Sequence, residues 1–243
     1  MRKREFWSFV GAGGKSTLLL LTAGQYARKG KRVLVTTTTH TAFQEEQLEK
    51  AGGRLLLGND GEAAGALLER ISPVAAVRKL PGEKGKQQGL SEPEMRRAME
   101  PADLILAEAD GSRHFPCKVP AEHEPAAHPD STRILVIQGL TALGQPIGRC
   151  CHRPEKVCAV TGKCAEELLE DKDMAQIIRK GYLDKCRRLW PQIPVTVILN
   201  QADTEEQKRH GRRIREKLRG CGAEVFLFSA RVFWEGTERW NMN

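Results

Sequence analysis

The stretch 6–17, with the sequence FWSFVGAGGKST, decides the fold of this chain. An apolar run leads into a glycine cluster, and Lys-Ser-Thr then opens a leucine-rich stretch, an order that predicts a strand, a phosphate-binding loop and a helix. Glycines let the backbone approach an anion, and the amides at a helix start face phosphate oxygens, helped by the helix dipole. The predicted phosphate-binding residues are Gly11, Ala12, Gly13, Gly14, Lys15, Ser16 and Thr17.

Within this loop, we expect Lys15 to be an exposed side chain that reaches the β- and γ-phosphates, and Ser16 to bind magnesium. The standard P-loop has another glycine five residues before Gly14, where this chain has Phe9. The shorter pattern G-x-G-G-K-S-T is typical of Mur-type ligases. The alternative is a glycine-rich turn that carries Lys-Ser by chance, and the position directly after the first strand favours phosphate binding.

Length and composition indicate a globular protein. The 243 residues suffice for one large α/β domain over 1–243, with a subdivision near residues 140–160 as the alternative. No apolar run approaches the roughly 20 residues of a membrane span, and no signal-peptide segment follows the basic start MRKRE. Seven cysteines without a C-x-x-C pair favour reduced structural thiols over a metal site. We therefore expect a cytoplasmic protein without a membrane partner.

The formal net charge of +8 raises the question of nucleic acid. Residues 208–219, KRHGRRIREKLR, carry much of this charge, and no aromatic residues for base stacking are interleaved there. A solvated helix face explains the segment better, with a capping box at residues 204–207 in front of it. A nucleotide triphosphate or an acidic partner protein would also suit a basic surface. Nucleic acid is the least favoured partner.

Four threonines at residues 36–39 follow a second apolar strand pattern at residues 33–35. Ligands of open α/β sheets bind where the strands end. We therefore expect threonine hydroxyls, Thr38 among them, to bind magnesium or the γ-phosphate. The alternative is the general preference of threonine for strands.

Residues 103–112, DLILAEADGS, predict a strand that is buried on both faces and ends in two carboxylates. Glu108 and Asp110 are two residues apart, so they lie on the same side of the strand. A buried carboxylate is costly unless it is paired or holds a metal, and an acidic strand end beside a phosphate loop is typical of a magnesium–nucleotide site. We predict Glu108 and Asp110 as magnesium ligands and, with Lys15, as catalytic residues.

Residues 113–125, RHFPCKVPAEHEP, hold three prolines and predict an irregular loop after that strand. We predict His123 and Glu124 in this loop as catalytic residues. Cys117, beside Lys118, is a hypothetical carrier of sulfur or selenium if its thiol pKa is lowered. A buried structural thiol is the favoured alternative.

Residues 200–203, NQAD, have the form of the guanine-reading N-K-x-D motif, with Gln201 in place of lysine. Asp203 would accept hydrogen bonds from the guanine ring, and Ser229-Ala230 matches the later Ser-Ala element of such sites. The alternative is a turn and helix cap formed by Asn200 and Asp203. Asn200 and Asp203 are therefore predicted nucleotide-binding residues, and GTP is slightly favoured over ATP.

The remaining apolar patterns alternate between strands and helices, including a predicted helix at residues 165–182. This alternation indicates an α/β fold of the P-loop NTPase type, with a mostly parallel twisted sheet and helices on both faces.

The combination of GAGGKST, VTTTTH, EADGSR and K-x-P-x-x-H-E-P resembles the YqeC family of selenium-dependent hydroxylase accessory proteins. The likeness extends to about residue 130, and HRPE at residues 152–155 continues it. The resemblance implies a nucleotide-binding protein that acts in the maturation of selenium-dependent molybdenum hydroxylases. The client hydroxylase or its maturation factors would then be the protein partner.

The sequence therefore predicts a magnesium-dependent NTPase that binds GTP or ATP and assists the maturation of a molybdenum–selenium enzyme. Glu108-x-x-Gly111 together with N-Q-x-D also looks similar to the nickel-metallochaperone GTPases. The alternative is a transferase or ligase that uses the nucleotide to activate a small substrate bound in the loop at residues 113–125. A nucleic-acid binder built on the basic helix is the third hypothesis.

Overall fold

The structure, a computed structural model, describes residues 4–231. These residues form two units. The first unit contains residues 4–10, Ser16–Gly111 and Glu124–Arg133, and the second contains Gly11–Lys15, Ser112–His123 and residues 134–231. The single domain over residues 1–243 stays a prediction.

The strands and helices alternate along much of the chain. The strands are β1 (Glu5–Gly11), β2 (Val33–Thr37), β3 (His40–Thr41), β4 (Arg54–Leu57), β5 (Val74–Lys79), β6 (Gln87–Gln88), β7 (Leu104–Glu108), β8 (Cys117–Lys118), β9 (Arg133–Gly139), β10 (Cys151–His152), β11 (Val195–Asn200) and β12 (Glu224–Leu227). The α-helices are α1 (Lys15–Arg28), α2 (Glu45–Lys50), α3 (Gly61–Leu68), α4 (Glu92–Met99), α5 (Ile147–Cys150), α6 (Pro154–Thr161), α7 (Asp171–Gln176), α8 (Asp184–Leu189) and α9 (Glu205–Lys217).

The first unit is built on a mostly parallel sheet. Its central strands follow the order β1-β7-β2-β5, all parallel, and β4 adds a further parallel strand on β5. The short strand β6 is antiparallel to both of its neighbours, β5 and β3. The register aligns Phe9, Glu108 and Thr37 in one row, so β1, β7 and β2 end at the same edge.

The core of the first unit lies between this sheet and the helices α3 and α4. On α4, Met95, Ala98 and Met99 are buried at the i, i+3, i+4 spacing of one helix face. Together with Phe6 and Ile105 from β1 and β7 they belong to one apolar cluster. The sheet edge that carries Glu108 is thus fixed on a packed core.

The second unit has its own parallel strands. Strand β11 lies between β9 and β12, and its last residue, Asn200, is paired with Gly139 at the end of β9. Both units therefore have parallel strands connected through helices, which confirms the predicted mostly parallel α/β fold. None of the helices within residues 4–231 has the length and apolar character of a membrane span.

Two predicted segments differ from the structure. The helix predicted at residues 165–182 begins only at Asp171, where Glu170 and Asp173 form a capping box, and continues through a π-helical segment (Ile177–Leu183) into α8. Its predicted first turns are lost because Leu169 exchanges backbone hydrogen bonds with Gly144 and Gln145. The predicted irregular loop at residues 113–125 also contains β8, which pairs in parallel with β10.

Candidate nucleotide-binding site

The glycine loop between β1 and α1 takes a conformation that requires glycine. Gly11, Gly13 and Gly14 have φ values of 102°, 83° and 95°, which side chains with a Cβ rarely adopt. Space forbids a side chain as well, because a Cβ on Gly13 would lie 2.4 Å from the backbone nitrogen of Gly139. The loop is therefore a backbone surface pressed against the end of β9.

Hydrogen bonds within the second unit brace this loop. The amides of Ala12 and Gly13 donate to the carbonyl oxygens of Ile137 (2.8 Å) and Phe115 (3.1 Å). The Nδ2 of Asn200, which is buried, donates to the carbonyl oxygen of Gly13 at 2.6 Å. The amides of Ala12 and Gly13 thus already donate to acceptors within the protein. The amides that follow them belong to the first turn of α1, and amides in a first turn have no hydrogen-bond acceptor within the helix.

Lys15 differs from the expectation of an exposed side chain. It is only 3% exposed, and its Nζ donates to the carbonyl oxygen of Gly11 at 2.9 Å. The ammonium group therefore folds back across its own loop. The expectation was wrong because a four-carbon stem at the start of α1 is long enough to reach the last residue of β1.

The end of β7 brings hydroxyl groups to a carboxylate. In the first unit, Ser16 Oγ donates to Glu108 Oε2 at 2.8 Å, and Thr41 Oγ1 lies 3.3 Å from the same oxygen. Glu108 is 6% exposed. Ser16 and Glu108, predicted from separate motifs, are thus brought into direct contact.

The threonine run holds the backbone of Glu108. Thr37 Oγ1 and the amide of Thr38 both donate to the carbonyl oxygen of Glu108 at 2.9 Å. The Thr38 hydroxyl, predicted as a magnesium ligand, donates to the carbonyl oxygen of Ala126 at 2.6 Å. Thr39 Oγ1 is buried and makes no hydrogen bond with any residue in the range 4–231. The threonines therefore fix the strand end.

The acidic residues of this edge suit a hard cation. Asp110 lies two residues beyond the end of β7 and is fully buried. Carboxylate and hydroxyl oxygens are the donors that magnesium prefers, with phosphate and water completing the shell. Among the described residues, no group of three or more His, Cys, Asp or Glu side chains has the arrangement of a metal site.

The NQAD segment lies at the end of β11. Asp203 accepts a hydrogen bond from Ser229 Oγ at 2.5 Å, and Gln201 accepts one from Thr141 Oγ1 at 2.5 Å. The cap of α9 is formed by Thr204 with Gln207, in the predicted capping box. Because Thr204 supplies the cap, the Asp203 carboxylate is held by Ser229 instead of by the helix.

The loop after β7 divides into exposed and buried residues. His114 and His123 are exposed, whereas Lys118 is fully buried and Glu124 is 5% exposed. The Lys118 backbone is held by the Gln138 side chain, whose Nε2 donates to the Lys118 carbonyl oxygen at 3.0 Å. The Lys118 backbone is therefore fixed inside the second unit.

Cys117 lies inside a cluster of thiols. It is fully buried and stands opposite Cys151 in the β8–β10 pair. Hydrogen bonding to Cys151 and burial raise the pKa of the Cys150 thiol, and hydrogen bonding to Cys117 raises the pKa of Cys151. Raised pKa values keep thiols protonated and unreactive. The complete burial of Cys117 agrees with the structural alternative for this residue.

No sequence pattern indicated several of these contacts. Thr41 lies beyond the threonine run, on β3, and β3 is positioned by its pairing with β6. The role of the Ile137 and Phe115 carbonyl groups as hydrogen-bond acceptors could not be predicted from residue type either, because every residue has a backbone carbonyl group.

Comparisons with known proteins agree with the motif pattern. A family model described as YqeC protein matches residues 7–155. The relative named "Uncharacterized protein YqeC" from Escherichia coli (strain K12) is 32% identical over 194 residues, which cover 75% of this chain and 73% of the relative.

Solved structures resemble the chain more distantly. Chloroplast FtsY from Physcomitrella patens aligns with a TM-score of 0.45 and 16% identity, over 98% of this chain and 66% of its own. The hydrogenase maturation factor HypB from Archaeoglobus fulgidus aligns with a TM-score of 0.45 and 11% identity, over 96% of this chain and 87% of its own. The chain thus spans slightly less than two thirds of the FtsY structure. Both likenesses are too distant to indicate a function.

Proposed function

Since this chain belongs to the YqeC family, we propose that it is a magnesium-dependent nucleotide-binding protein that hydrolyses GTP or ATP. One observation carries the proposal: Ser16, which follows the glycine loop, donates to the buried carboxylate of Glu108 at 2.8 Å. Phosphate loops and acidic strand ends are common separately. Their contact through a hydroxyl is the arrangement that a magnesium–nucleotide site needs.

The phosphates would be held by the first turn of α1. The amides of Gly14, Lys15, Ser16 and Thr17 follow the two amides that the protein itself engages, and the dipole of this 14-residue helix adds positive potential at the same place. Lys15 would exchange the Gly11 carbonyl oxygen for a phosphate oxygen, which is a stronger, charge-assisted partner.

Magnesium would be held by Ser16 and Glu108, with Thr38 and Asp110 as further candidates. A hydroxyl that donates its hydrogen keeps oxygen lone pairs, so Ser16 can donate to Glu108 and still offer an oxygen to the ion. Bound magnesium would neutralise phosphate charge. Lys15, Glu108 and Asp110 would then orient and stabilise the reacting phosphate, with His123 and Glu124 as candidates in the following loop.

The base would be guanine, with adenine as the alternative. Ser229 orients the Asp203 carboxylate at 2.5 Å, and an oriented carboxylate accepts from guanine N1–H and the 2-amino group. Adenine has no N1–H, so the acceptor positions of the carboxylate that Ser229 does not fill would stay without a donor, a penalty of about 1–3 kcal/mol.

The biological role we propose is the maturation of selenium-dependent molybdenum hydroxylases. It rests on the combination of GAGGKST, VTTTTH, EADGSR and the K-x-P-x-x-H-E-P loop in this chain. Nucleotide hydrolysis would act on the client through the loop that follows Glu108, where His114 and His123 are exposed.

Calorimetric titration with non-hydrolysable GTP and ATP analogues, with and without magnesium, tests the nucleotide site. We expect one-to-one binding that magnesium strengthens. Lys15→Met keeps the buried aliphatic stem and removes the charge-assisted contact, worth about 1.5–3 kcal/mol, so affinity should fall roughly 10- to 150-fold.

The matched control is Lys29→Met, just beyond the other end of α1, where Lys29 lies over the Tyr26 ring. It should bind like the parent. Glu108→Gln should keep magnesium-free binding but lose the gain from magnesium and most phosphate release. Unchanged affinity in a folded Lys15→Met variant would overturn the phosphate-loop assignment.

The client role needs a separate measurement. The activity of a selenium-dependent molybdenum hydroxylase is compared in cells that carry only the parent chain or His123→Ala, with Glu122→Ala as the neighbouring exposed control. We expect His123→Ala to bind nucleotide normally and to lose client maturation. Normal maturation would remove this loop from the mechanism. A new phosphorylated or adenylated small molecule among the products would instead favour the transferase alternative.

A further inference from the structure

A cavity of about 690 Å³ lies in the first unit, beside the strand end that carries the threonines. Thr37 and Thr38 form one wall, and both also hold the carbonyl oxygen of Glu108. Pockets for small organic ligands commonly measure about 300–1,000 Å³. The cavity therefore has the size of a second ligand site next to the proposed magnesium site.

Arg78 gives this cavity a positive charge. Its side chain is partly buried, and its Nε donates to the carbonyl oxygen of Gly89 at 2.8 Å. Within residues 4–231, no carboxylate forms an ion pair with Arg78. By contrast Arg96, also in the lining, pairs with Glu92 at 2.6 Å. A partly desolvated guanidinium without a counter-charge is costly, and its planar fork suits a carboxylate or phosphate.

His128 adds a neutral donor to the lining. Its ring stacks on Phe6, with centroids 4.5 Å apart, and its Nδ1 accepts from the amide of Asp130 at 3.1 Å. Burial lowers the pKa of His128, while Asp130 and Glu92 partly oppose that shift. In the neutral ring the proton then lies on Nε2, because Nδ1 is the acceptor. The histidine is thereby fixed as a hydrogen-bond donor.

The lining also has an apolar side. Leu90, Met95 and Met99 line the cavity and belong to the packed core of the first unit. Methionine adapts to irregular shapes and makes favourable contacts with aromatic rings. The cavity thus combines an anion-binding end with a surface for a flat apolar body.

We propose that this cavity binds a small organic oxyanion, with a carboxylate or phosphate group on Arg78 and an apolar or aromatic body against the methionines. The site goes beyond nucleotide binding, and its ligand is a candidate co-substrate or effector of the neighbouring phosphate site.

Calorimetric titration with phenyl phosphate and with benzoate, in the absence of nucleotide, tests the cavity. We expect saturable one-to-one binding of at least one probe and at least tenfold weaker binding of phenol, which lacks the anion. Arg78→Gln should weaken the bound probe about tenfold or more, because the charge-assisted fork is lost. The control Arg54→Gln, on neighbouring β4 and outside the lining, should leave probe affinity unchanged.

Circular dichroism and a thermal melt establish that each variant is folded. If Arg78→Gln does not fold, Arg78→Lys replaces it: a point charge without the planar fork should still weaken the probe severalfold. The proposal is wrong if neither probe binds, if a folded Arg78 variant binds like the parent, or if Arg54→Gln loses as much affinity. It is also wrong if Lys15→Met abolishes probe binding, because the probe then occupies the phosphate loop. Arg78→Gln should still bind GTP or ATP, so the cavity proposal and the nucleotide-site proposal can be refuted independently of each other.

Discussion

Replacing Asn200 with alanine should make the phosphate loop less rigid, although the Asn200 side chain contacts the loop backbone and not the phosphates. The Asn200 side chain is 1% exposed and donates from Nδ2 to the carbonyl oxygen of Gly13 at 2.6 Å. Alanine leaves that buried carbonyl oxygen without its donor, which costs about 1–3 kcal/mol. Loss of the buried Asn200 Oδ1, which has no hydrogen bond among the described residues, offsets part of this cost. For a chain of this size, about 2 kcal/mol lowers the melting temperature by roughly 4–8 °C.

Affinity should fall as well, because binding must then also order the loop. The loss of binding free energy cannot exceed this cost of about 1–3 kcal/mol, which corresponds to a roughly 5- to 150-fold loss of affinity. Calorimetry with GTP, ATP and inorganic tripolyphosphate separates two roles of Asn200. A residue that holds the loop weakens all three ligands alike, whereas a residue that reads guanine weakens GTP alone.

The matched control is Asn59→Ala, since Asn59 is exposed and hydrogen-bonded to Ser91 at 3.0 Å. An exposed pair of this kind should change stability by less than about 0.5 kcal/mol. If Asn200→Ala melts like the parent and binds tripolyphosphate equally well, the contact with Gly13 does not brace the loop and the reasoning fails.

Three further predictions concern other parts of the site. Asp203→Asn should weaken GTP and relieve the exclusion of xanthine nucleotides, because an amide donates where the carboxylate only accepts; equal GTP binding in calorimetry would leave Asp203 without a base-reading role. Thr39→Val should raise the free energy of unfolding in urea by about 1 kcal/mol, since it removes a buried hydroxyl without a hydrogen bond among the described residues; a loss of stability would contradict this. Burial lowers the pKa of His128 in the folded protein. As pH falls below about 6.5, His128 is therefore protonated in the unfolded chain before it is protonated in the folded one, and stability decreases as pH decreases. His128→Asn, which keeps an acceptor for the Asp130 amide, should flatten this loss between pH 7 and pH 5 in urea titrations; an unchanged slope would assign the loss to other groups.

Local patterns predicted much of the fold and part of the site. The glycine cluster after an apolar run predicted the loop before α1, and the apolar run into Glu108 predicted β7. These features depend on neighbouring residues, so periodicity reveals them. The contact of Ser16 with Glu108 then follows from parallel strands that end at one edge.

Features set by distant segments were not predictable in this way. Thr41 reaches Glu108 because β3 pairs with β6, and no local pattern encodes that pairing. The sequence of residues 165–169, AEELL, has a high helix propensity, yet Leu169 bonds to Gly144 and Gln145 instead. Tertiary hydrogen bonds outweigh a propensity of a few tenths of a kcal/mol per residue.

The bracing of the glycine loop has a consequence for protein synthesis. The loop is complete when residue 17 has been added, but Asn200, which holds Gly13, is 187 residues further along the chain than its partner. At about 5–20 residues per second, the ribosome needs roughly 10–40 s to make that stretch. During this time the nascent chain carries the whole phosphate-binding sequence without its brace. At the proposed site, nucleotide binding would therefore reach its full strength only after residue 200 has been made, because a shorter chain lacks the hydrogen bond from Asn200 to Gly13.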